Sequence, residues 1–355
     1  MAGRHPHQVA IRADMSSRIG MGHVMRCRTL GLALLEQGYH VTLISAGVPD
    51  AVAQRLRDEN FSLVTCATAV PDAGVAALCA LRPDLVITDA YHLAPADFEC
   101  LTAAGIPYAV IDDEAMSSAR EPVLLIDHNP GAAGGTYAHL PSSMLLIGSG
   151  YTLIRPEVRS LVGGVDRDSD TICLSLGGAD PQALTEPLAL ALAEGGWQVR
   201  VVIGEVNARS SEVRARLAGG AGISCLEPVD LPSALRTSSV AVLGAGITLW
   251  EACFLRTPVV AVCTQDIHLQ IARAAAGWGV AAVAVDPDDP AMTLAAVTDA
   301  CATARPGRAG PVAGGRPGTG RASHGANGDR GVDGVQVIDG RGAERIAAAI
   351  SAVLA

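Results

Sequence analysis

Ile11-Arg12-Ala13-Asp14-Met15-Ser16-Ser17-Arg18-Ile19-Gly20-Met21-Gly22-His23-Val24-Met25-Arg26-Cys27 is the stretch whose reading decides the fold. It continues an apolar run that starts at Val9, passes through a polar turn with two glycines one residue apart, and opens a helical pattern over about His23–Gln37. Strand, glycine turn and helix in that order begin a parallel α/β unit. Glycine lets the backbone come close to a ligand, and the N-terminus of a helix offers free N–H groups and partial positive charge. The dinucleotide fingerprint would need a third glycine where Met25 stands, and Ser45 and Ala46 end the next apolar run without a carboxylate. A nicotinamide or flavin site is therefore disfavoured. His23 sits at the mouth of the helix, where the dipole disfavours imidazolium and leaves a neutral ring able to take a proton.

The same alternation continues along the chain. Strands are expected at Val9–Ala13, Tyr39–Ser45, Ser62–Cys66, Leu85–Thr88, Tyr108–Asp112, Val123–Ile126 and Ser143–Ile147, with helices at Asp50–Glu59, Asp72–Ala80 and Pro95–Ala104 between them. A second series begins near Thr171, with strands at Thr171–Leu176, Gln198–Ile203, Ile223–Leu226, Val240–Leu243, Val259–Cys263 and Ala281–Val285. Its helices fit Ala183–Glu194, Ala208–Ala218, Leu231–Thr237, Thr248–Phe254 and Ile267–Trp278. Continuous apolar strands mean sheets covered on both faces. The expected organisation is an N-terminal α/β domain over 1–160, a C-terminal one over 161–303, a disordered Gly/Pro/Arg-rich insert over 304–338, and a closing helix within 339–355. Two such domains leave a cleft for a ligand.

Two more glycine turns follow strands of the second half: Gly177-Gly178-Ala179-Asp180-Pro181 and Gly244-Ala245-Gly246-Ile247-Thr248-Leu249-Trp250-Glu251. At the carboxyl ends of parallel strands, such turns suit phosphate or nucleotide binding. A lone Gly-Gly turn is more often structural, and Glu251 reads either as a ribose acceptor or as an ordinary first-turn glutamate. Trp250 defaults to core packing.

The composition narrows the choice. Of 355 residues, 49 % are hydrophobic, which supplies two cores, and the net charge is −10. All 26 basic residues are arginine. An acidic chain argues against nucleic acid, which needs a basic face, yet does not oppose a small anion in a local field. Nine cysteines without a CxxC pair read as reduced buried thiols. No apolar stretch reaches the length of a membrane span and the N-terminus lacks a signal-peptide core, so a cytoplasmic location is expected, without membrane partners.

Taken together these motifs resemble the PseG/SpsG family of nucleotide-sugar hydrolases, relatives of MurG-like glycosyltransferases. The resemblance rests on Arg12, Asp14, Ser16, Ile19, Gly20, Gly22, His23 and Arg26, on Ile111-Asp112-Asp113, on Tyr151 through Glu157, on both later glycine turns with Trp250-Glu251, and on Asp339-Gly340-Arg341-Gly342-Ala343. It implies a GT-B-like pair of Rossmann-like domains. The implied reaction is hydrolysis of a UDP-linked 2,4-diacetamido-2,4,6-trideoxy-hexose without metal or cofactor. His23 would be the base for water, and Asp14 would orient His23 or a sugar hydroxyl. Gly177, Gly178, Asp180, Gly246, Ile247, Thr248 and Glu251 would hold UDP. Arg12, Ser17, Gly20, Gly22, Tyr91, Asn129, Tyr151, Arg155 and His268 would meet the substrate, with His92 as an alternative to Tyr91. A monomer or weak homo-oligomer is expected.

The chain departs from the family pattern at Ile247 and Leu249, where small polar residues are usual, and at Asp266-Ile267-His268, where Asn-Gln is usual. A glycosyltransferase, with His23 acting on an acceptor hydroxyl, and a nucleotide-sugar-binding module without turnover are the competing readings.

Overall fold

The structure is a computed structural model that describes residues 6–17, 19–66, 71–112, 119, 121–129, 132, 134–140, 142–163, 166–305 and 338–355. Arg18, and all of the expected disordered insert except Ala304, Arg305 and Ile338, lie outside the described residues. Ala304 closes a helix and Ile338 is buried.

The first half runs β1 (Gln8–Ala13), α1 (Gly22–Glu36), β2 (His40–Ala46), α2 (Asp50–Asp58), β3 (Ser62–Cys66), α3 (Pro71–Leu81), β4 (Leu85–Asp89), α4 (Pro95–Ala103), β5 (Tyr108–Ile111), β6 (Leu124–Asp127) and β7 (Met144–Ile147). The pairings between these strands are parallel, in the order β3-β2-β1-β4-β5-β6-β7. A short helix α5 (Pro156–Arg159) follows, then β8 (Asp168–Ser175), α6 (Thr185–Glu194), β9 (Gln198–Val202), α7 (Ser210–Leu217), β10 (Ile223–Leu226), α8 (Leu231–Thr237), β11 (Ser238–Gly244), α9 (Ile247–Phe254), β12 (Val259–Cys263), α10 (Asp266–Ala274), β13 (Val280–Ala284) and α11 (Pro290–Ala304). These strands form a second parallel sheet, ordered β10-β9-β8-β11-β12-β13.

In both sheets the order reverses at the centre, between β1 and β4 and between β8 and β11. Loops leaving neighbouring strands there turn to opposite faces and open a crevice at the carboxyl ends, where ligands of doubly wound sheets bind. The glycine turn after β1 and the turns after β8 and β11 all occupy these positions.

Burial explains why the runs are apolar. Val9, Ile11 and Ala13 of β1 pack beneath α1, while Ala10 faces the opposite layer with Val86 and Phe98. The second sheet is likewise covered on both sides, by α8 and α9 on one and by α6 and α11 on the other. Helix α12 (Gly342–Leu354) follows the second domain yet packs on the first. Its Ala343, Ile346, Ala347 and Ile350 are buried with Leu30 and Leu34 of α1. Gly342 is needed at this crossing, since a Cβ there would come within 2.3 Å of the Thr152 carbonyl oxygen.

Helix α11 was not foreseen from the apolar pattern. Its signal is local: Asp289 accepts from the Met292 N–H as an N-cap, and Pro290 takes the first helical position. No described helix is long and apolar enough to cross a membrane.

Candidate active site in the interdomain cleft

A cleft of about 570 Å³ separates the carboxyl edges of the two sheets. The N-terminal domain contributes Ile19–His23, Arg26, Arg55 and Tyr91, the second domain Ser175–Gln182 and Gly244–Thr248. The domains meet backbone to backbone at the glycines. A Cβ on Gly178 would lie 2.7 Å from the Met21 nitrogen, and one on Gly204 would lie 2.4 Å from the Gly178 Cα. No side chain larger than hydrogen fits at Gly178 or Gly204 while the loops remain in contact.

His23, in the first turn of α1, places Nδ1 2.6 Å from Asp89 Oδ1. Asp89 ends β4, is buried, and also accepts from Arg26 Nε and Nη2, each at 2.6 Å. Arg26 Nη1 reaches His128 Nε2 at 3.1 Å. Burial by itself would raise the Asp89 carboxyl, but the Arg26 charge and then His23 outweigh it and hold the group well below the usual carboxylate range. Asp89 is therefore an anion that accepts Nδ1–H and fixes the tautomer in which Nε2 carries the lone pair. Tyr91 stands edge-on to the imidazole, with centroids 5.4 Å apart.

Asp14 does not occupy that role. Its carboxylate bonds to Arg12 and accepts the Ala46 N–H at 2.6 Å, and His92 Nε2 lies 3.6 Å away. Arg12 is buried beneath α3, where a Cβ on Gly74 would lie 2.5 Å from its Nε, and it is not among the residues that line the cleft. Tyr151 packs against the core shared with α12. Ser17 is exposed in the turn after β1 and does not line the cleft.

The remaining expected residues stand on the cleft wall: Gly20, Gly22, Tyr91, Asn129, Arg155, Gly177, Gly178, Asp180, Gly246, Ile247, Thr248 and His268. Asp180, Asn129 and Arg155 make side-chain hydrogen bonds that shape the wall. Asp180, at φ +46°, accepts from the N–H groups of Leu184 and Thr185 at 3.0 and 2.9 Å and so caps α6. Asn129 Oδ1 accepts from Trp250 Nε1 at 3.1 Å, joining the domains. Arg155 donates from Nε and Nη2 to the two oxygens of Glu251 at 2.5 and 2.6 Å. Burial alone would lower the Arg155 guanidinium, and Glu251 more than offsets this. Glu251 is fully buried, with one hydrogen bond from Arg155 on each of its oxygens.

Sequence reading missed Asp89 as the partner of His23. The two are 66 positions apart, and only the β1–β4 pairing brings them together.

No family model matches the chain. An uncharacterised protein of Methanocaldococcus jannaschii is 19 % identical over 275 residues, 74 % of this chain and 56 % of the relative. The chain thus spans about half the length of that curated relative. Three solved structures share the architecture. A putative UDP-N-acetylglucosamine 2-epimerase from Listeria monocytogenes aligns with a TM-score of 0.61 at 14 % identity, over 99 % of this chain and 97 % of that one. The glycotransferase of kitacinnamycin aligns at 0.58 and 16 %, over 99 % and 100 %. Arabidopsis thaliana UGT89C1, complexed with UDP, aligns at 0.57 and 13 %, over 84 % and 92 %. The protein has the two-domain GT-B fold, as the resemblance implied.

Proposed function

We propose that the protein hydrolyses a UDP-linked amino or deoxy sugar at the anomeric carbon, giving UDP and the free sugar. The observation that carries this reading is half-buried His23, backed by buried Asp89 and opening onto a glycine-lined cleft. With Nδ1–H held by Asp89, His23 Nε2 takes a proton from water as the oxygen attacks, and Asp89 stabilises the imidazolium. The C1–O bond to the diphosphate breaks from the opposite face, which inverts the anomeric centre. N–H groups of the turns at Gly177–Gly178 and Gly246–Thr248 meet the charge that develops on UDP. The sequence resemblance and the UDP complex of one structural neighbour support the choice of nucleotide.

Transfer to an acceptor is the second reading. Ile19 is 49 % exposed and Val229 75 % exposed, and both line the cleft from opposite domains, giving it apolar lips that suit an apolar acceptor. UDP release from a panel of UDP-amino sugars, measured with and without acceptor alcohols, separates the two. Release without acceptor, with inversion seen by NMR of the first anomer, supports hydrolysis. Release only with acceptor supports transfer. His23→Ala is expected to lower turnover by about 10²–10⁴-fold while UDP binding stays near wild type. Retained turnover would remove His23 as the base.

A further inference from the structure

Among the described residues, the arginines that line the cleft are Arg26, Arg55 and Arg155, and each faces a carboxylate. Arg26 and Arg155 are held by two hydrogen bonds each to buried carboxylates. Moving either would strand a buried charge. Arg55, on α2, differs. Its side chain is 39 % exposed, and its contact with Glu205 is a single 3.5 Å approach of Nη2 to Oε1. That distance is beyond a good hydrogen bond. Glu205 is incompletely satisfied too, because its Oε2 is buried with no hydrogen-bond partner among the described residues. Glu205 directly follows Gly204, whose backbone lies against Gly177 and Gly178. The guanidinium of Arg55 therefore rests beside the glycine turn, on the side of the domain that carries His23.

Given the nucleotide-sugar reading above, we infer that Arg55 is a substrate-binding residue that leaves Glu205 for the sugar-bearing phosphate of a bound nucleoside diphosphate. The chain contains no lysine, so a permanently charged side chain for a diphosphate is an arginine, added to the N–H groups of the glycine turns, and Arg55 is the described cleft arginine that can move at small cost. Glu205 keeps the arm near the site and competes with the ligand for it. Its charge also repels an anion that arrives before Arg55 has turned. Bound ligand then ties α2 of the first domain to a nucleotide held by the second.

Calorimetric titration of the full chain with UDP and with UMP tests this in wild type, Arg55→Ala, Arg55→Lys and Glu205→Gln. Arg55→Ala is expected to weaken UDP by roughly 10–100-fold, the worth of charge-assisted hydrogen bonds, and UMP by less than about threefold. Arg55→Lys keeps part of the UDP preference. Glu205→Gln frees the arm and tightens UDP by up to about fivefold. A purely structural latch would make both Arg55→Ala and Glu205→Gln weaker, and would affect UDP and UMP alike; that pattern overturns the assignment. So does an Arg55→Ala protein, folded by circular dichroism, that binds UDP as wild type does. Wild-type protein that binds neither nucleotide overturns the nucleotide-sugar reading itself, which is a separate outcome.

Discussion

Replacing Asp89 by asparagine keeps the shape of the side chain and removes the charge that faces His23. In the wild type an imidazolium formed during the reaction would sit against a carboxylate with a 2.6 Å contact. A unit-charge pair about 4 Å apart is worth about 4 kcal/mol at an effective dielectric of about 20. Arg26 already neutralises part of that carboxylate through two hydrogen bonds, so about 3 kcal/mol is a fairer figure for the loss at His23. At about 1.4 kcal/mol per tenfold, this lowers kcat about 10²-fold. An asparagine that turns its NH2 toward Nδ1 selects the opposite tautomer and brings the loss to about 10³–10⁴-fold. The substitution also strands Arg26, a cost of about 3–5 kcal/mol in stability. UDP release and urea unfolding should therefore be measured together at low temperature, with Asp14→Asn as the comparison. The expected result is a large fall in kcat for Asp89→Asn with little change in UDP affinity, and a much smaller fall in kcat for Asp14→Asn. Turnover within tenfold of wild type in folded Asp89→Asn, or a larger loss in Asp14→Asn, would refute the assignment. The pH dependence has a fixed sign. The folded carboxyl lies below its ordinary value, so its stabilisation is complete above the unfolded carboxylate range near about 3.9 and fades as pH falls further. An acid limb in the neutral range of the rate profile therefore cannot belong to Asp89.

Two other substitutions probe the cleft. Gly178→Ala places a methyl carbon 2.7 Å from the Met21 nitrogen, so the two domain loops must part; UDP affinity is expected to fall at least about tenfold, and unchanged affinity in titration would show that the contact is dispensable. Glu251→Gln leaves the buried Arg155 charge without its anion and is expected to lower unfolding free energy by about 3–5 kcal/mol, read as a shift of the urea midpoint; an unshifted midpoint would mean that Arg155 finds another partner.

The fold was legible because the central strands, such as β1, β4 and β12, are short apolar runs in which both faces are buried. The strand expected at Val259–Cys263 is found at those residues, and the helix expected over about His23–Gln37 is found at Gly22–Glu36. Side-chain partnerships were not legible, because they depend on strand order. Asp14 was expected beside His23 because it stands in the motif on which the resemblance rests. The fold instead sets β4 beside β1, and Asp89 arrives from there. Glu251 shows the same limit, since nothing in its own helix announces that Arg155 will fill both of its oxygens. Arg12 and Tyr151 matched a motif, and the fold places Arg12 in the interior and packs Tyr151 against the core, neither among the cleft-lining residues. A motif can keep its residues for packing as well as for chemistry.

The return of α12 to the first domain bears on how the protein is made. Four of its side chains complete the core beneath α1, the helix that carries His23. On the ribosome, the first domain emerges with that face bare and must wait while the entire second domain is synthesised, on the order of ten seconds or more at roughly 5–20 residues per second. The second sheet can close before the first core is sealed. A chain truncated before Gly342 would lack the four side chains that finish the core beneath α1, and the first domain is expected to lose more stability from that cut than the second, read as separate shifts in urea unfolding.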